Sequence, residues 1–128
     1  MIRIMDNKIF QEVFDILQSV LPKGWEKVCF FAGYTEGSYT MKYYTYYNGT
    51  YVDCFSQEEI SRTQLIKVFM SIDKLLLPER KKLDEEHRWT VMTMIVGAEG
   101  NMKSEFDYTD ISEIAIQYER EWEKKYLV

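Results

Sequence analysis

The dipeptide Asn48-Gly49 constrains the fold of this 128-residue chain more than any other short stretch of its sequence. Both residues tolerate the positive φ that a two-residue hairpin turn requires. The flanking segments, Ser38–Tyr47 and Thr50–Phe55, are rich in the aromatic and β-branched residues that favour strands. An earlier segment, Trp25–Tyr34, has the same character and predicts a third strand. The first half of the chain therefore predicts an antiparallel sheet.

Three further segments carry apolar residues at the spacing of an amphipathic helix. The first runs from about Asp6, its expected N-cap, to Leu21. The last runs from about Ile111 to Tyr126, and Asp110 is its expected N-cap. Its predicted inner face consists of Ile111, Ile114, Ala115, Tyr118, Trp122 and Tyr126.

The middle helix has two possible starting points. Ser56 with Glu59 and Ser61 with Gln64 both fit the capping-box pattern at a helix N-terminus. Pro78 is expected to break or kink this helix, because proline lacks the amide that a helix interior needs. The predicted buried stripe consists of Leu65, Phe69, Ile72 and Leu76.

Two more strands, Arg88–Val96 and Met102–Tyr108, are predicted between the second and third helices. The resulting order is α-β-β-β-α-β-β-α, which is typical of an α+β fold with an antiparallel sheet of about five strands. A helix stripe must bury against something, so we expect two layers with the helices on one face. No repeat or linker divides the sequence, which predicts a single domain over residues 1–128.

The formal net charge of −5 bears on the kind of partner. Nucleic acid is a poor partner for such a chain, because its binding requires Lys and Arg to neutralise phosphates. An acidic protein suits a basic partner, although net charge also serves simple solubility.

Cys29 and Cys54 are the only cysteines, and without a secretory leader they are expected to be reduced thiols in a cytoplasmic protein. No apolar run approaches the length of a membrane span. Residues Met1–Lys8 lack the apolar region of a signal peptide. Either Met1 or Met5 could be the native start.

No constellation of residues predicts catalysis, a metal or a cofactor. His87 is the only histidine, and no second ligand stands at metal-binding spacing from it. Glu105, Asp107 and Asp110 form a short acidic cluster without the spacing of a calcium loop. Free cysteines in strands usually act as small apolar residues. We therefore expect a protein that is not an enzyme.

Seven of the ten tyrosines lie between Tyr34 and Tyr51. Alternation along a strand places Tyr44 and Tyr46 on one face and Tyr43 on the other. Tyr44 and Tyr46 are expected to point away from the helices. Two interpretations stay open for them, namely cross-strand aromatic packing and a protein-binding surface, where tyrosine is enriched.

The C-terminal part of the chain is acidic, with eight acidic and two basic side chains from Glu99 to Glu123. Glu113, Glu119 and Glu123 stay clear of the inner stripe of the last helix, so they could contact a basic partner without disturbing the core. A solvated helix face is the alternative interpretation. No nucleic acid or membrane partner is expected, and the oligomeric state is left open.

Several short motifs, in this order, resemble those of the YezG-like (EsaG-like) immunity proteins, the antitoxins of secreted bacterial nuclease toxins. The motifs are Leu21-Pro22-Lys23-Gly24-Trp25-Glu26-Lys27-Val28, the tyrosine-rich hairpin of Tyr43–Tyr51, Trp89-Thr90, Phe106-Asp107-Tyr108, Asp110, Arg120, Trp122 and Lys125-Tyr126-Leu127. The resemblance implies a two-layer α+β domain in the cytoplasm that binds tightly to the nuclease domain of a cognate toxin. It also implies that such a toxin leaves through type VII secretion.

The resemblance carries no family-wide inhibitory motif, so the partner-binding residues Glu113, Glu119, Glu123, Tyr44 and Tyr46 rest on charge and alternation alone. An acidic and aromatic surface would occlude the basic active-site surface of a nuclease. The alternative function is a non-catalytic regulatory or small-ligand-binding module, which a deep apolar pocket would favour.

Overall fold

The computed structural model describes residues 7–128, and its elements follow the predicted order α-β-β-β-α-β-β-α. The helices are α1 (Asn7–Gln18), α2 (Arg62–Lys81) and α3 (Ala115–Tyr126). The strands are β1 (Lys27–Thr35), β2 (Ser38–Tyr47), β3 (Thr50–Asp53), β4 (Val91–Gly97) and β5 (Met102–Asp107), and a 3-10 turn (Cys54–Ser56) follows β3.

The five strands form one antiparallel sheet in the order β3-β2-β1-β4-β5. The Asn48-Gly49 turn joins β2 to β3, and both of its residues have positive φ, 53° and 81°. Tyr47 and Thr50 are the pair next to this turn. The predicted hairpin, the antiparallel sheet and the α+β class are therefore confirmed.

Side chains of β1 alternate between two buried faces of the sheet. Phe30 and Tyr34 belong to the core beneath α1 and α2, together with Leu17 and Ile72 from those helices. The second core lies on the opposite face and is covered by α3; its buried members are Cys29, Phe31, Tyr44, Val91, Ile111 and Trp122. The fold thus has three layers, with the sheet in the middle.

The prediction that all helices cover one face is wrong for α3. Almost every residue of β1 and β4 is buried, so the two central strands are apolar on both faces. A sheet with two apolar faces needs cover on each of them. Continuous apolar runs such as Val28–Ala32 are the sequence signal of this arrangement.

The predicted start of the last helix is also wrong, because α3 begins at Ala115 instead of Ile111. Asp110 does not cap the helix; its carboxylate accepts bonds from the amide and hydroxyl of Ser112, at 3.0 and 2.8 Å, in a preceding turn. Ile111 stays buried, whereas Ile114 and Ala115 are exposed and not on the inner face as predicted.

Of the two predicted starts of α2, the structure has the one at Ser61. The Ser61 hydroxyl accepts from the Gln64 amide at 3.1 Å, and the Gln64 side chain accepts from the Ser61 amide at 2.9 Å. Pro78 does not break the helix, which continues to Lys81. The expected Asp6 cap of α1 lies outside the described residues.

Three strand ends differ from the prediction by two residues or more. β1 begins at Lys27 instead of Trp25, and β4 begins at Val91 instead of Arg88. β3 ends at Asp53 because the Asp53 carboxylate accepts the amide of Phe55 at 2.8 Å, which turns the chain into the 3-10 segment.

Candidate functional site

Helix α3 is the element that carries most of the predicted site residues, and Trp122 anchors it to the sheet. The Trp122 side chain is 3% exposed, and its ring packs edge-on against Phe31 with centroids 5.4 Å apart. Its indole N–H donates to Oγ1 of buried Thr93 at 2.8 Å. Gly33 of β1 allows the side chain of Ile111 to approach the sheet closely, since a Cβ atom at this position would lie 3.2 Å from Cδ1 of Ile111.

Three tyrosine hydroxyls donate hydrogen bonds to carboxylates across the interface between α3 and the sheet. The pairs are Tyr44 with Glu123 at 2.8 Å, Tyr118 with Asp107 at 2.6 Å, and Tyr126 with Glu105. In each pair one residue lies on α3 and the other on a strand. Glu105 and Asp107 of the predicted acidic cluster thus bond to tyrosines of α3, and Tyr44 of the tyrosine-rich hairpin bonds to a carboxylate of α3. Charge-assisted bonds of this kind are stronger than neutral ones.

These bonds shift the pKa values of both partners away from neutral pH. Burial, and then the bond to Asp107, raise the pKa of Tyr118, and burial followed by the bond to Glu105 raises the pKa of Tyr126 to about 12. The bonds from Tyr126 and Lys103 lower the pKa of Glu105. At Asp107, partial burial acts to raise the pKa of the carboxylate. Its hydrogen bonds, above all the one from Tyr118, outweigh this effect, so the pKa is lowered. The phenols therefore stay neutral donors and the carboxylates stay ionised acceptors around neutral pH.

Lys42 of β2 joins the sheet to the carboxylates of α3. Its ammonium lies 2.9 Å from Glu119 and 3.6 Å from Glu123, and it also lies over the rings of Phe31 and Tyr44. Burial, and then the bond to Glu123, raise the pKa of Tyr44. The two carboxylates are therefore held in place by a cation that also compensates part of their charge.

Three of the predicted site residues lie together beneath α3, and the other two lie apart from them. Tyr44 and Glu123, predicted on two rival surfaces, contact each other, and Glu119 joins them through Lys42. Tyr44 is only 9% exposed because α3 covers the face that was expected to be open. Glu113 is exposed before the start of α3, and Tyr46 is half-buried with its ring 4.9 Å from that of Tyr51.

The residues considered for catalysis have other partners in the structure. His87 Nδ1 lies 2.6 Å from the Asp84 carboxylate at a surface turn. Within residues 7–128, no group of three or more His, Cys, Asp or Glu could hold a metal ion. Cys29 and Cys54 are buried and unpaired, and burial raises the pKa of both thiols, to about 12 for Cys54. A raised thiol pKa opposes nucleophilic reactivity.

A cavity of about 230 Å³ lies between α3 and the β4–β5 hairpin. Its lining includes Glu105, Asp107, Tyr118 and Tyr126, whose polar groups already bond to each other. It differs from the deep apolar pocket that a small-ligand module would need. Among the helices of the described chain, none is long and apolar enough to cross a membrane.

One surface was missed by the sequence analysis. Ile66 and Met70 of α2 and Phe55 after β3 are each about half-exposed, and Tyr39 of β2 is exposed. The signal was present, because Ile66 and Met70 stand four residues apart and share a helix face. The predicted stripe of α2 contains only its buried side, which does not include Ile66 or Met70.

Comparison with protein families gives one match across nearly all of the chain. A family model described as "Immunity protein YezG-like" matches residues 6–128. No curated protein was found to match. The matched region contains the whole sheet, the three helices and the tyrosine–carboxylate pairs beneath α3. The chain therefore belongs to the YezG-like family of immunity proteins.

Proposed function

We propose that this protein binds and neutralises a cognate nuclease toxin, a substrate of type VII secretion, in the cytoplasm of the producing cell. Family membership supports a toxin as the partner. The observation that carries the nuclease part of the proposal is the acidic character of the chain, with a net charge of −5. A nuclease holds its nucleic acid on a basic surface, and an acidic protein is complementary to that surface.

The outer side of α3 is the surface that we assign to this contact. Glu113 is exposed just before the helix, and Glu119 and Glu123 retain exposed surface beside Lys42. Ile114 and Ile116 are exposed along a shallow groove that Glu113 and Glu121 line together with Arg120 and Lys124. An apolar centre with a charged rim is the usual composition of a protein–protein interface.

The two predicted tyrosines have different roles in this proposal. Tyr44 is nearly covered, so it positions Glu123 through its hydrogen bond instead of contacting the toxin. Tyr46 is half-buried on the same face of the sheet and offers part of its ring to a partner. We therefore expect truncation of Tyr46 to speed dissociation, since buried aromatic contacts mainly affect the off-rate.

The test is a kinetic binding experiment with the C-terminal domain encoded by the adjacent open reading frame. A Glu113→Lys, Glu121→Lys variant reverses two exposed charges without touching the Lys42 pairs. Rim charges govern association rate and salt dependence, so this variant should associate more slowly and with a flatter salt dependence.

The matched control is the Glu58→Lys, Glu59→Lys variant, which changes the net charge by the same amount at two exposed positions before α2. It should slow association much less. Equal slowing by both variants would show that total charge acts without a specific α3 contact. Failure of the unaltered protein to bind the domain would contradict the proposed function itself.

A further inference from the structure

Strand β2 is longer than the strand beside it. β3 pairs only with Tyr44–Tyr47, whereas β2 begins at Ser38 and pairs with β1 from Ser38 to Tyr46. Within residues 7–128, no strand pairs with Ser38–Lys42 on the β3 side, and the amide of the next residue, Tyr43, bonds to the thiol of Cys54. This open segment is about 17 Å long at the usual rise per strand residue.

The direction of the backbone groups along this segment follows from the turn before it. Thr35 and Ser38 are the pair next to the Glu36-Gly37 turn, so Ser38, Thr40 and Lys42 direct their backbone groups toward β1. Tyr39 and Met41 alternate with them and direct their amides and carbonyls outward, in line with β3.

Apolar side chains flank the open edge on the α2 side. Phe69 of α2 contacts the rings of both Tyr43 and Phe55, which places this flank of the helix over the β2 edge. Ile66 and Met70 lie on the same flank and are half-exposed. At the Ser38 end, a cavity of about 470 Å³ is lined in part by Tyr39 and Leu77.

Strand edges in natural proteins are usually protected by charges, proline, bulges or covering elements. Lys42 is the one charged residue in Ser38–Lys42, and its ammonium bonds to Glu119 on the α3 side of the sheet. The segment contains no proline. Its outward amides, beside an exposed apolar flank, form the kind of edge to which an extended peptide adds as a new strand.

We propose that an extended segment of the toxin adds to the β2 edge at Ser38–Lys42, continuing the line of β3, with apolar side chains against Ile66 and Met70. The inference rests on the proposed function, because it takes the toxin as the partner. Charge favours the toxin over a second copy of this chain: two copies would each carry −5, whereas a basic nuclease domain is complementary.

The first experiment is residue-resolved amide hydrogen exchange of the protein alone and with the C-terminal domain from the adjacent open reading frame. In the free protein, Tyr39 and Met41 amides should exchange fast and Thr40 and Lys42 amides slowly. Binding should protect Tyr39 and Met41, because an added strand bonds to them. Thr40 and Lys42, which already bond to β1, serve as internal controls.

The outcomes separate this inference from the proposed function. A complex that forms while Tyr39 and Met41 still exchange fast would overturn the edge inference and leave the proposed function standing. Protection that is present without the toxin domain and rises with protein concentration would identify a second copy as the occupant and overturn it too. Absence of any complex would overturn both.

Two substitutions at one position test the backbone contact itself. Tyr39→Pro and Tyr39→Val both remove the ring, but only proline removes the outward amide, and edge strands tolerate proline there. The proline variant should bind the toxin domain at least about fivefold more weakly than the valine variant, the effect of one lost hydrogen bond. Equal affinities would contradict strand addition.

The apolar flank is tested by an Ile66→Ser, Met70→Gln variant, with Tyr108→Ser as the control. Tyr108 is as exposed as the altered pair but follows β5, at the opposite edge of the sheet. The flank variant should weaken binding and the control should not. Unchanged affinity in the flank variant would remove Ile66 and Met70 from the contact.

Discussion

At the scale of single residues, the tyrosines and carboxylates that stand out in the sequence are hydrogen-bonded partners in the structure. Residue types and alternation were enough to select Tyr44 and Glu123, and both do share one side of the sheet. Their contact could not be predicted, because it joins positions 79 apart in the sequence. Alternation reports which face a side chain takes, but it does not report what covers that face.

Trp122 should be the residue of α3 whose loss costs most. Trp122→Ala removes a buried ring and leaves the hydroxyl of Thr93 without its donor, so we expect a loss of about 3–5 kcal/mol in unfolding free energy. Ile116→Ala, on the exposed side of the same helix, should change it by less than about 0.5 kcal/mol. Denaturant unfolding measures both, and an unchanged stability in Trp122→Ala would contradict the placement of α3.

At the scale of elements, local signals were reliable where one motif decides the geometry. The capping box at Ser61 fixes the start of α2, and Asn48-Gly49 fixes the β2–β3 turn. The start of α3 was mispredicted because the side chain of Asp110 can cap a helix or close a turn with Ser112, and both use the same acceptor. In the structure, Ile111 is buried against the sheet before the helix begins at Ala115.

The helix cap at Ser61 can be tested by comparing two serine-to-alanine variants. Ser61→Ala removes a side-chain acceptor from the Gln64 amide and should lower the unfolding free energy by about 1 kcal/mol. Ser56→Ala alters the other predicted cap, which lies in the 3-10 turn, and should leave stability nearly unchanged. Thermal unfolding compares the two variants, and equal effects would show that the Ser61 cap contributes nothing specific.

The packing of α3 against the sheet should contribute less to the unfolding free energy at acidic pH. The pKa values of Glu105 and Asp107 are lowered in the folded protein, from ordinary values of 4.5 and 3.8. Their ionised forms therefore add stability above those values, and this contribution is lost as pH falls through the lowered pKa values. Unfolding free energy should drop below about pH 4.

A variant with Glu105→Gln and Asp107→Asn lacks both titrating groups. It should be less stable than the unaltered protein at neutral pH and should lose less stability between about pH 5 and pH 2. The measurement is urea unfolding at a series of pH values. An identical slope of stability against pH in both proteins would contradict a role for these two carboxylates.

At the scale of the whole molecule, element order and hairpin signals were enough to predict the α+β class and the antiparallel sheet. The two-layer arrangement was predicted wrongly, because the continuous apolar runs of β1 and β4 require cover on both faces of the sheet. The same error placed Tyr44 on an open face. Because α3 covers the second face, Tyr44 is buried and supports the helix. Glu113 and the open β2 edge remain exposed.

We propose that this immunity protein neutralises a nuclease by covering its nucleic-acid surface. The most direct measurement is DNA cleavage by the toxin domain from the adjacent open reading frame, titrated with this protein. Cleavage should stop at about an equimolar amount, and the complex should no longer bind DNA, because tight binding to a single site consumes the free enzyme stoichiometrically. Full cleavage in the presence of a large excess of this protein would contradict the claim.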